Sequence, residues 1–548
     1  MTFRLYVRVT VGLVGLALGV VQGAMAERVQ VTVLATTDLH GHLMPVDYYT
    51  NARADRGLAR VATLIRDARK GAPDALLVDC GDTIQGSSLA YYFARKNSRP
   101  ANPMMVAMNA LGYDAMVLGN HEYNFGLSVL EKARREATFP WLSANTYQRH
   151  SNDTNVYAPY VMKEVSGVRV AIVGLTTPSI PNWEDPANYA GLEFRELVSE
   201  AKKWVAHVRT QERADVVVAA VHMGLEYDLR TGELGQWNIP GENAAVAVAE
   251  QVPGIDVMFM GHTHREVSGL MINGVLLVQA GRWGDNLARA DFYLDRVDDS
   301  GWTVAAKSGR TIPVTAATAT DPEIERLIMP YEIEAQAWLD KVIGTSDKAL
   351  DATGSRLEDT AIVDLIHRVQ LDAGGADVSF AASFNLRARL PQGPVTVRDI
   401  AGLYVYENSL VVIEVTGAQI KAGLEHAARY FLPYREGGTA RDLIDERQPG
   451  YNFDIAEGVG YTIDLTRPVG ERIVDLTFGG EPLDPERKLK LALNNYRVNG
   501  GGGYTMFKGA PVVWRSGAEI RDLIIDWVEK HGSVPAEPTN NWRIIPAP

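Results

Sequence analysis

Short apolar runs that alternate with amphipathic stretches are the feature that most constrains the fold of this chain. Several of the runs, such as Ala214–Val221, are nearly continuous stretches of Val, Ile, Leu and Ala. A strand that is apolar on both faces must be covered on both faces, which is typical of the sheets of α/β proteins. Helices are predicted between the runs, for example over Leu58–Lys70 and Leu197–Glu212. The predicted strands are Val29–Ala35, Ala75–Val78, Ala115–Leu118, Val168–Val173, Ala214–Val221, Ile255–Met260 and Val275–Gln279.

The chain is long enough for more than one domain. It has 548 residues, whereas a single domain usually has about 50–250. Asp321-Pro322-Glu323 predicts the start of a helix. The Asp side chain can cap the first backbone N–H groups, Pro suits the first helical position, and the charge of Glu complements the helix dipole. The helix is predicted to run to about Val342, before Gly344. We interpret residues 27–320 as an α/β domain, 321–343 as a linker helix and 344–548 as a second domain. In the second domain a helix is predicted over Thr360–Ala373, and strands over Ser409–Thr416, Gly460–Leu465 and Leu489–Asn494.

Residues 1–26 have the pattern of a secretory signal peptide. Arg4 and Arg8 precede the uncharged run Val11–Val21, and Ala24-Met25-Ala26 is a small-x-small cleavage site. The alternative, a retained membrane anchor, is disfavoured because the apolar run is short. We expect export and a mature chain that starts near Glu27. Because Cys80 is the only cysteine, no intrachain disulfide is possible, and we expect a bacterial periplasmic location, or alternatively an extracellular one.

The charge of the chain excludes one class of partner. Its formal net charge is −13, so long nucleic acids are not held by bulk electrostatics. A small anion can still bind where a metal ion supplies positive charge.

Polar motifs rich in His and Asp directly follow five of the predicted strands. In open α/β sheets, ligands bind at the carboxyl ends of the strands, so these motifs can converge on one site. The motifs are Asp38-Leu39-His40-Gly41-His42, Asp79-Cys80-Gly81-Asp82, Gly119-Asn120-His121-Glu122, His222-Met223-Gly224 and Gly261-His262-Thr263-His264.

The residue types in these motifs are those of a divalent metal site. Asp carboxylates and neutral imidazoles suit Zn²⁺, Mn²⁺ or Fe²⁺. A carboxylate such as Asp82 can bridge two ions, and two ions about 3.5–4 Å apart polarise a phosphoryl group and hold a water-derived nucleophile. Gly81, Gly119 and Gly261 allow tight turns near the ions. His42 is left out of the ligand set.

Taken together, the five motifs resemble the signature of the calcineurin-like metallophosphoesterases. The length, the N-terminal segment and the second domain narrow this resemblance to the 5′-nucleotidase family. It implies a four-layer α/β/β/α metallophosphoesterase domain followed by an α/β nucleotide-binding domain. Segments of the C-terminal half are similar to the bacterial periplasmic 2′,3′-cyclic-nucleotide 2′-phosphodiesterase/3′-nucleotidase branch. These segments are Tyr404-Val405-Tyr406-Glu407-Asn408-Ser409-Leu410, Tyr451-Asn452-Phe453-Asp454 and Asn494-Asn495-Tyr496-Arg497.

The resemblance implies two divalent metal ions, of Mn, Zn, Co or Fe, and a catalytic histidine, His121. One implied metal site consists of Asp38, His40, Asp82 and His264, and the other of Asp82, Asn120, His222 and His262.

The resemblance also implies a base-binding cleft in the second domain. Tyr406 and Tyr496 would clamp the base, and Asn408 would contact it; stacking on an aromatic ring contributes about 1–3 kcal/mol per base. Arg387 is a candidate for a substrate phosphate or ribose, with an exposed, solvated Arg as the alternative. Asp454 is a candidate for the base or sugar.

Two departures from the 5′-nucleotidase pattern point to the cyclic-nucleotide branch. Asn124 stands where 5′-nucleotidases carry an Asp that orients and charges the catalytic histidine. A neutral partner can orient His121 but stabilises its protonated form less. Gly502 stands where an Asp would contact the ribose.

We therefore expect a monomeric, exported hydrolase of small nucleotides with no stable membrane association after signal cleavage. The expected activities are 2′,3′-cyclic-nucleotide 2′-phosphodiesterase and 3′-nucleotidase. A 5′-nucleotidase or UDP-sugar hydrolase is the nearest alternative. A sulfur-oxidising hydrolase of the superfamily and a non-catalytic nucleoside- or metal-binding protein are more distant ones.

Overall fold

A computed structural model of the protein describes residues 27–151, 153–228, 230–233, 239–296 and 301–547. The predicted signal peptide, residues 1–26, lies outside the described residues. Within the described ranges, no helix combines the length and the apolar character needed to span a bilayer.

Two six-stranded sheets form the centre of the N-terminal half. Strands that carry the polar motifs run parallel to their motif-bearing neighbours within each sheet. The first sheet has the order Trp302–Pro313, Asn286–Arg296, Arg28–Thr36, Leu76–Asp79, Ala115–Val117 and Trp141–Leu142. The second has the order Glu266–Ile272, Val275–Ala280, Val257–Met260, Val216–His222, Val168–Thr176 and Tyr160–Val165. The seven predicted strands are confirmed, with ends that differ by a few residues.

The two sheets pack face to face, with helices on their outer faces. Val33 and Val78 of the first sheet share a buried cluster with Val218 and Phe259 of the second. The outer face of each sheet packs against helices in separate clusters. Apolar residues on both faces of the strands are thereby covered, and the expected four-layer α/β/β/α arrangement is confirmed. The helices of this half are Leu58–Gly71, Ser88–Tyr91, Pro103–Leu111, Leu127–Glu136, Leu197–Thr210 and Ala245–Gln251.

The C-terminal half is an α/β unit built on a five-stranded mixed sheet. Two of its helices, Val397–Leu403 and Gly417–Ala427, begin with capping boxes formed by Thr396 and Thr416. The strand order is Asp454–Glu457, Val378–Ala382, Lys488–Asn494, Ser409–Thr416 and Val512–Glu519. A four-stranded sheet has the order Glu481–Pro482, Ile473–Phe478, Gly460–Asp464 and Trp542–Ile545. The other helices are Ala361–Gly374, Asn495–Val498 and Ile520–His531.

The remaining sheets are small. A three-stranded sheet has the order Gly393–Thr396, Val342–Ser346 and Ser533–Val534. The two-stranded pairs are Leu192–Phe194 with Thr146–Gln148, Leu350–Asp351 with Arg389–Leu390, and Val46–Asp47 with Ala52–Arg53.

The linker helix is shorter than the sequence predicts. Asp321 caps it through the backbone N–H groups of Glu323 and Ile324, and the helix is Pro322–Leu339. The expected end near Val342 is wrong, because Val342–Ser346 is a strand that pairs with Gly393–Thr396. Backbone pairing and the β-branched side chains of Val342, Ile343 and Thr345 favour an extended chain there. The domain boundaries themselves remain an interpretation.

Candidate metal centre

The loops that follow strands of both sheets meet at one edge of the sandwich. Three motif-bearing strands belong to the first sheet and two to the second. Parallel pairing within each sheet sets their carboxyl ends side by side. Face-to-face packing then brings the two sets of loops together, as the rule for ligand sites of α/β sheets predicts.

Six of the seven predicted ligands form two groups, each with its donor atoms within 4.8 Å of one another. Asp82 Oδ2 lies 3.0 Å from His222 Nε2 and 3.8 Å from His40 Nε2, so it stands between the groups. The seventh predicted ligand, Asn120, has its Oδ1 3.1 Å from His222 Nε2. The groups are Asp38, His40 and His264, and Asp82, His222 and His262. The structure brings these residues together; their role as ligands remains a prediction.

The orientation of the imidazole rings suits bound cations. Nδ1 of His40 lies 3.1 Å from the carbonyl of Gln85, and Nδ1 of His222 lies 2.7 Å from that of Cys80. In the neutral rings each Nδ1–H donates to a carbonyl, which leaves the Nε2 lone pair facing the cluster. Although burial opposes it, the charge of Asp82 raises the pKa of His222 to about 10, so a bound cation would take the place of the proton on Nε2 of that ring. His40 Nε2 and His264 Nε2 are only 3.0 Å apart. Lone pairs that converge this closely beside two carboxylates fit divalent cations.

The carboxylates of the cluster are held in their charged form. Burial opposes ionisation of Asp82, yet the charges of His222 and His121 keep its pKa well below the ordinary value. Burial also opposes ionisation of Asp38, but a hydrogen bond from His264 keeps its pKa low. Burial lowers the pKa of His40 to about 3. Charged carboxylates and a neutral imidazole are the forms that bind metals.

The backbone at the cluster is strained. Side chains other than glycine rarely adopt a left-handed backbone, and such outliers gather at functional sites. The residues of the cluster with positive φ are Asp38 (49°), His40 (47°), Asp82 (58°), His262 (70°) and His264 (56°). All five residues are predicted ligands, and they belong to three of the five motifs.

A buried carboxylate that sequence reasoning did not single out organises these loops. Glu122 accepts hydrogen bonds from the backbone N–H groups of Asp82, Thr83, Ile84 and Gly119, at 2.6–3.2 Å. It therefore joins the loop that carries Asp82 to the loop that carries Asn120. The sequence offered one indication of this role, because Glu122 directly follows His121 in the third motif.

His121 lies beside the metal cluster and is bonded to Asn124. Its backbone N–H donates to Asp82 Oδ1 at 2.8 Å, and its ring centre is 5.2 Å from that of His40. Its Nδ1 lies 2.5 Å from Asn124 Oδ1. Asn124 Nδ2 in turn donates to Glu184 Oε2 at 2.8 Å. The structure thus places His121 where it can contact a group bound at the cluster.

Two further residues support the outer side of the cluster. Glu242 Oε1 is 2.8 Å from His262 Nε2, and Arg282 Nη1 is 3.3 Å from His264 Nδ1. His42, left out of the ligand set, stacks on Trp283 with ring centres 5.0 Å apart. No sequence motif marks Glu242 or Arg282, because neither belongs to the five motifs.

Cys80 is buried, and burial raises the pKa of its thiol well above the ordinary value. An inert, structural cysteine is consistent with both observations.

The two predicted base-binding tyrosines differ in exposure, since Tyr406 is 43% exposed and Tyr496 is more buried. Partial burial raises the pKa of Tyr406, and the nearby charge of Arg282 opposes the rise. Burial raises the pKa of Tyr496 to about 12, and Glu242 contributes to the rise. Tyr451 lies near both rings, with its centre 6.5 Å from that of Tyr406. Sequence reasoning placed Tyr451 in a family-like segment but gave it no role.

The other predicted substrate residues differ in their surroundings. The carboxylate of Asp454 is buried and bonded to Arg497 at 2.8 and 2.9 Å. Arg387 is exposed, and the backbone carbonyl of Asn408 accepts from the backbone N–H of Ile520. Their substrate contacts remain predictions.

Comparison with known proteins agrees with the division into two halves. Residues 31–266 match the family described as calcineurin-like phosphoesterase, and residues 342–509 match the 5′-nucleotidase C-terminal domain. The first match includes all seven predicted ligands.

Curated relatives and solved structures match nearly the whole chain. It is 31% identical to the 2′,3′-cyclic-nucleotide 2′-phosphodiesterase/3′-nucleotidase of Haemophilus influenzae, over 97% of this chain and 90% of the relative. It is 29% identical to the trifunctional nucleotide phosphoesterase of Bacillus subtilis, over 95% of this chain but only 39% of that longer protein. A structure from Staphylococcus aureus, assigned provisionally as a 5′-nucleotidase, covers 94% of this chain and all of its own, with a TM-score of 0.82 and 27% identity.

Proposed function

Because this chain belongs to the calcineurin-like phosphoesterases and carries the C-terminal domain of the 5′-nucleotidases, we propose that it hydrolyses 2′,3′-cyclic nucleotides and 3′-nucleotides. Water would first cleave the bond between phosphorus and the 2′ oxygen of the cyclic ester, which leaves a 3′-nucleotide. A second water would then cleave the bond to the 3′ oxygen and release nucleoside and phosphate. The observation that carries the proposal is the meeting of two His/Asp groups around Asp82.

The cluster has the donors for two divalent cations. Such cations, when bound, supply Lewis-acid activation of a phosphoryl group and of the attacking water. Asp38, His40, Asp82 and His264 would hold one, and Asp82, Asn120, His222 and His262 the other. Because donors of this kind accept several metals, Mn, Zn, Co and Fe all fit.

His121 would act on the reacting phosphate directly. Its ring is anchored at Nδ1 by Asn124 and lies beside His40. With Nδ1 held by Asn124, the protonated ring can donate a hydrogen bond or a proton from Nε2 to an oxygen on which charge develops in the transition state.

The C-terminal domain would select nucleosides. Tyr406 and Tyr496 offer aromatic faces on which a base can stack without base-specific hydrogen bonds. Asn495, which precedes Tyr496, donates from Nδ2 to the carbonyl of Trp183 at 3.4 Å. The centre of the Trp183 ring lies 5.4 Å from that of the His262 ring. These contacts support a base site that opens toward the metal cluster.

The position of Gly502 favours the 3′ and cyclic substrates over 5′-nucleotides. Its φ is 67°, and the space where a side chain would begin is taken by Asn452 and Arg497. An aspartate that contacts the ribose from this position, as the 5′-nucleotidase pattern requires, is therefore disfavoured.

We also propose that the protein is exported to the periplasm or out of the cell. It is supported by the basic start, apolar run and Ala24-Met25-Ala26 site at the N-terminus. We propose a monomer that acts on free nucleotides.

A comparison of three substrates tests the proposal. We expect metal-dependent phosphate release from 3′-AMP, and from 2′,3′-cyclic AMP after conversion to 3′-AMP, with little release from 5′-AMP. The assay is run with added Mn²⁺ or Co²⁺ and repeated with a chelator, which should abolish turnover. Preference for 5′-AMP would instead support the 5′-nucleotidase alternative.

Asp82→Asn provides the matched variant, because it keeps the shape of the side chain and removes the charge between the two groups. Loss of about 4 kcal/mol of transition-state stabilisation corresponds to a roughly thousand-fold fall in turnover on every substrate. Bound metal, measured by atomic emission, should fall as well. Near-parental turnover in this variant would contradict the two-metal arrangement.

A further inference from the structure

Hydrogen bonds link His121 through Asn124 to the buried carboxylate of Glu184, which has no role in the proposed metal chemistry. His121 Nδ1 lies 2.5 Å from Asn124 Oδ1, and Asn124 Nδ2 donates to Glu184 Oε2 at 2.8 Å. We propose that Glu184 is a positioning residue that fixes the proton and the orientation of the His121 ring through Asn124. The inference rests on the proposed hydrolysis of phosphate esters, in which His121 contacts the reacting group.

The side chain of Glu184 is itself fixed. It is 5% exposed, and its Oε1 accepts from Asn188 Nδ2 at 2.9 Å and from the backbone N–H of Asp185 at 2.7 Å. Three N–H donors, including that of Asn124, thus point at one carboxylate. Burial raises the pKa of Glu184, and the hydrogen bonds from Asn188 and Asp185 oppose that rise. Three N–H donors suit an ionised acceptor, because a protonated carboxyl group would have fewer lone pairs to offer.

The carboxylate determines which way the Asn124 amide points. A carboxylate only accepts, so the NH₂ group of Asn124 must face Glu184. The amide oxygen therefore faces His121 and can only accept, so Nδ1 of His121 must carry a proton. Without this constraint the amide could rotate by 180° and present N–H to Nδ1, which would select the other tautomer.

The same arrangement supplies negative charge to a histidine whose direct partner is neutral. Glu184 lies one amide away from His121, so its charge polarises the hydrogen bond that Asn124 accepts. A neutral Asn backed by a buried Glu can thereby fix the orientation of the ring.

The first test is Glu184→Gln, which keeps the shape of the side chain but can present either oxygen or nitrogen to Asn124. We expect kcat for 3′-AMP to fall about ten-fold or more, with KM and bound metal unchanged, since the metal ligands are not altered. The matched control is Glu200→Gln, because Glu200 is also buried and bonded, to the hydroxyl of Tyr147 beside the second sheet. It should keep near-parental kcat.

The second test separates positioning from a merely structural role. In the Glu184→Gln background, Asn124→Asp gives His121 a carboxylate partner, and the amide introduced at position 184 can donate to that carboxylate; kcat should recover. In the parental background the same Asn124→Asp change sets two carboxylates side by side, and kcat should fall. A double-mutant cycle in which Asn124→Asp has the same effect in both backgrounds would overturn the proposal, as would a Glu184→Gln variant within two-fold of the parent.

A third measurement does not depend on turnover. With ¹⁵N-labelled histidine in zinc-loaded protein, the His121 ring signals are assigned by their loss in His121→Gln. They should show the proton on Nδ1 in the parent and a mixture of tautomers in Glu184→Gln. Identical ring shifts in both would contradict the inference. Should the parent release no phosphate from any of the three nucleotides, the proposed function fails, whereas these shifts still decide the role of Glu184.

Discussion

At the level of single residues, the metal cluster depends on close approaches that leave no room for additional atoms. Gly119 precedes Asn120 directly, and a Cβ placed on it would overlap the carboxylate and backbone nitrogen of Asp82 and the ring of His222. These neighbours are held by backbone and by buried hydrogen bonds, so they cannot move aside cheaply. Glycine is therefore required here for space rather than for backbone conformation.

Gly119→Ala tests this requirement. The added methyl group should displace Asp82 and His222, so we expect loss of bound metal and a fall in turnover of about a hundred-fold or more. Metal content and kcat are measured on purified protein. Gly71→Ala is the control, because nothing lies within 4 Å of a Cβ at this last residue of the helix Leu58–Gly71. Its activity should be parental and its Tm unchanged or slightly raised; normal metal content in Gly119→Ala would contradict the argument.

At the level of secondary-structure elements, the helix Ala361–Gly374 carries a buried histidine outside the metal cluster. His367 Nδ1 lies 2.9 Å from Ser379 Oγ on the neighbouring strand. Burial lowers the pKa of His367 to about 3, against an ordinary value of 6.5. The helix therefore packs against the sheet with a neutral imidazole in its apolar face.

This burial predicts acid sensitivity of the C-terminal domain. Below pH 6.5 the unfolded chain takes up a proton at His367, whereas the folded chain does not until about pH 3. The stabilising contribution is thus complete above pH 6.5 and is lost as the pH falls; by pH 5 the loss is about 2 kcal/mol. Thermal unfolding at pH 7 and pH 5 measures it, and His367→Gln should lose less stability over that interval than the parent. An equal loss in both proteins would show that His367 does not contribute.

At the level of the whole molecule, the two domains contact each other through charged side chains. Arg95 lies 3.2 Å from Glu519, Lys96 lies 2.9 Å from Asp522, and Arg515 pairs with Asp185 at 3.0 Å. Asp185, the acidic member of the last pair, directly follows Glu184, which accepts a hydrogen bond from Asn124. One of the three contacts between the domains and the support of His121 therefore lie in one short segment of chain.

In the proposed function the C-terminal domain binds the base and the N-terminal domain hydrolyses the phosphate ester. We therefore predict that a mutation can weaken base binding without slowing phosphate hydrolysis. Tyr406→Ala removes a stacking face worth about 1–3 kcal/mol, so KM for 3′-AMP should rise roughly ten-fold or more. KM and kcat for 4-nitrophenyl phosphate, which has no nucleobase, should change little. Steady-state kinetics on both substrates measure the difference.

Two control variants accompany this prediction. Tyr406→Phe keeps the ring and should behave like the parent. Tyr434→Ala removes another exposed tyrosine of the same domain, whose hydroxyl accepts only a local bond from Gly437 among the described contacts. An equal loss on nucleotide and aryl phosphate in Tyr406→Ala would argue against stacking.

The order of strands and polar motifs was sufficient to predict an α/β domain with its polar motifs at one edge of the sheets, whereas the four layers and the two ligand sets came from the resemblance to the metallophosphoesterases. Runs that are apolar on both faces demand two covered faces, and residues just after parallel strands must emerge at one edge. Asp38, Asp82 and His222 were identifiable for this reason. The end of the linker helix was not, because pairing of Val342–Ser346 with a strand some fifty residues later overrides the local helical pattern.

Only the tertiary structure decided which side chains support the cluster from outside. Glu184 reaches Asn124 across 60 residues of chain, and Glu242 reaches His262 across 20. Neither contact follows from a local pattern, because each depends on how separate loops pack at the edge of the two sheets. The metal-binding residue types of the motifs lie close together in the amino-acid sequence and could be identified from it. The direction in which the Asn124 amide points depends on the carboxylate of Glu184, which only folding brings beside it.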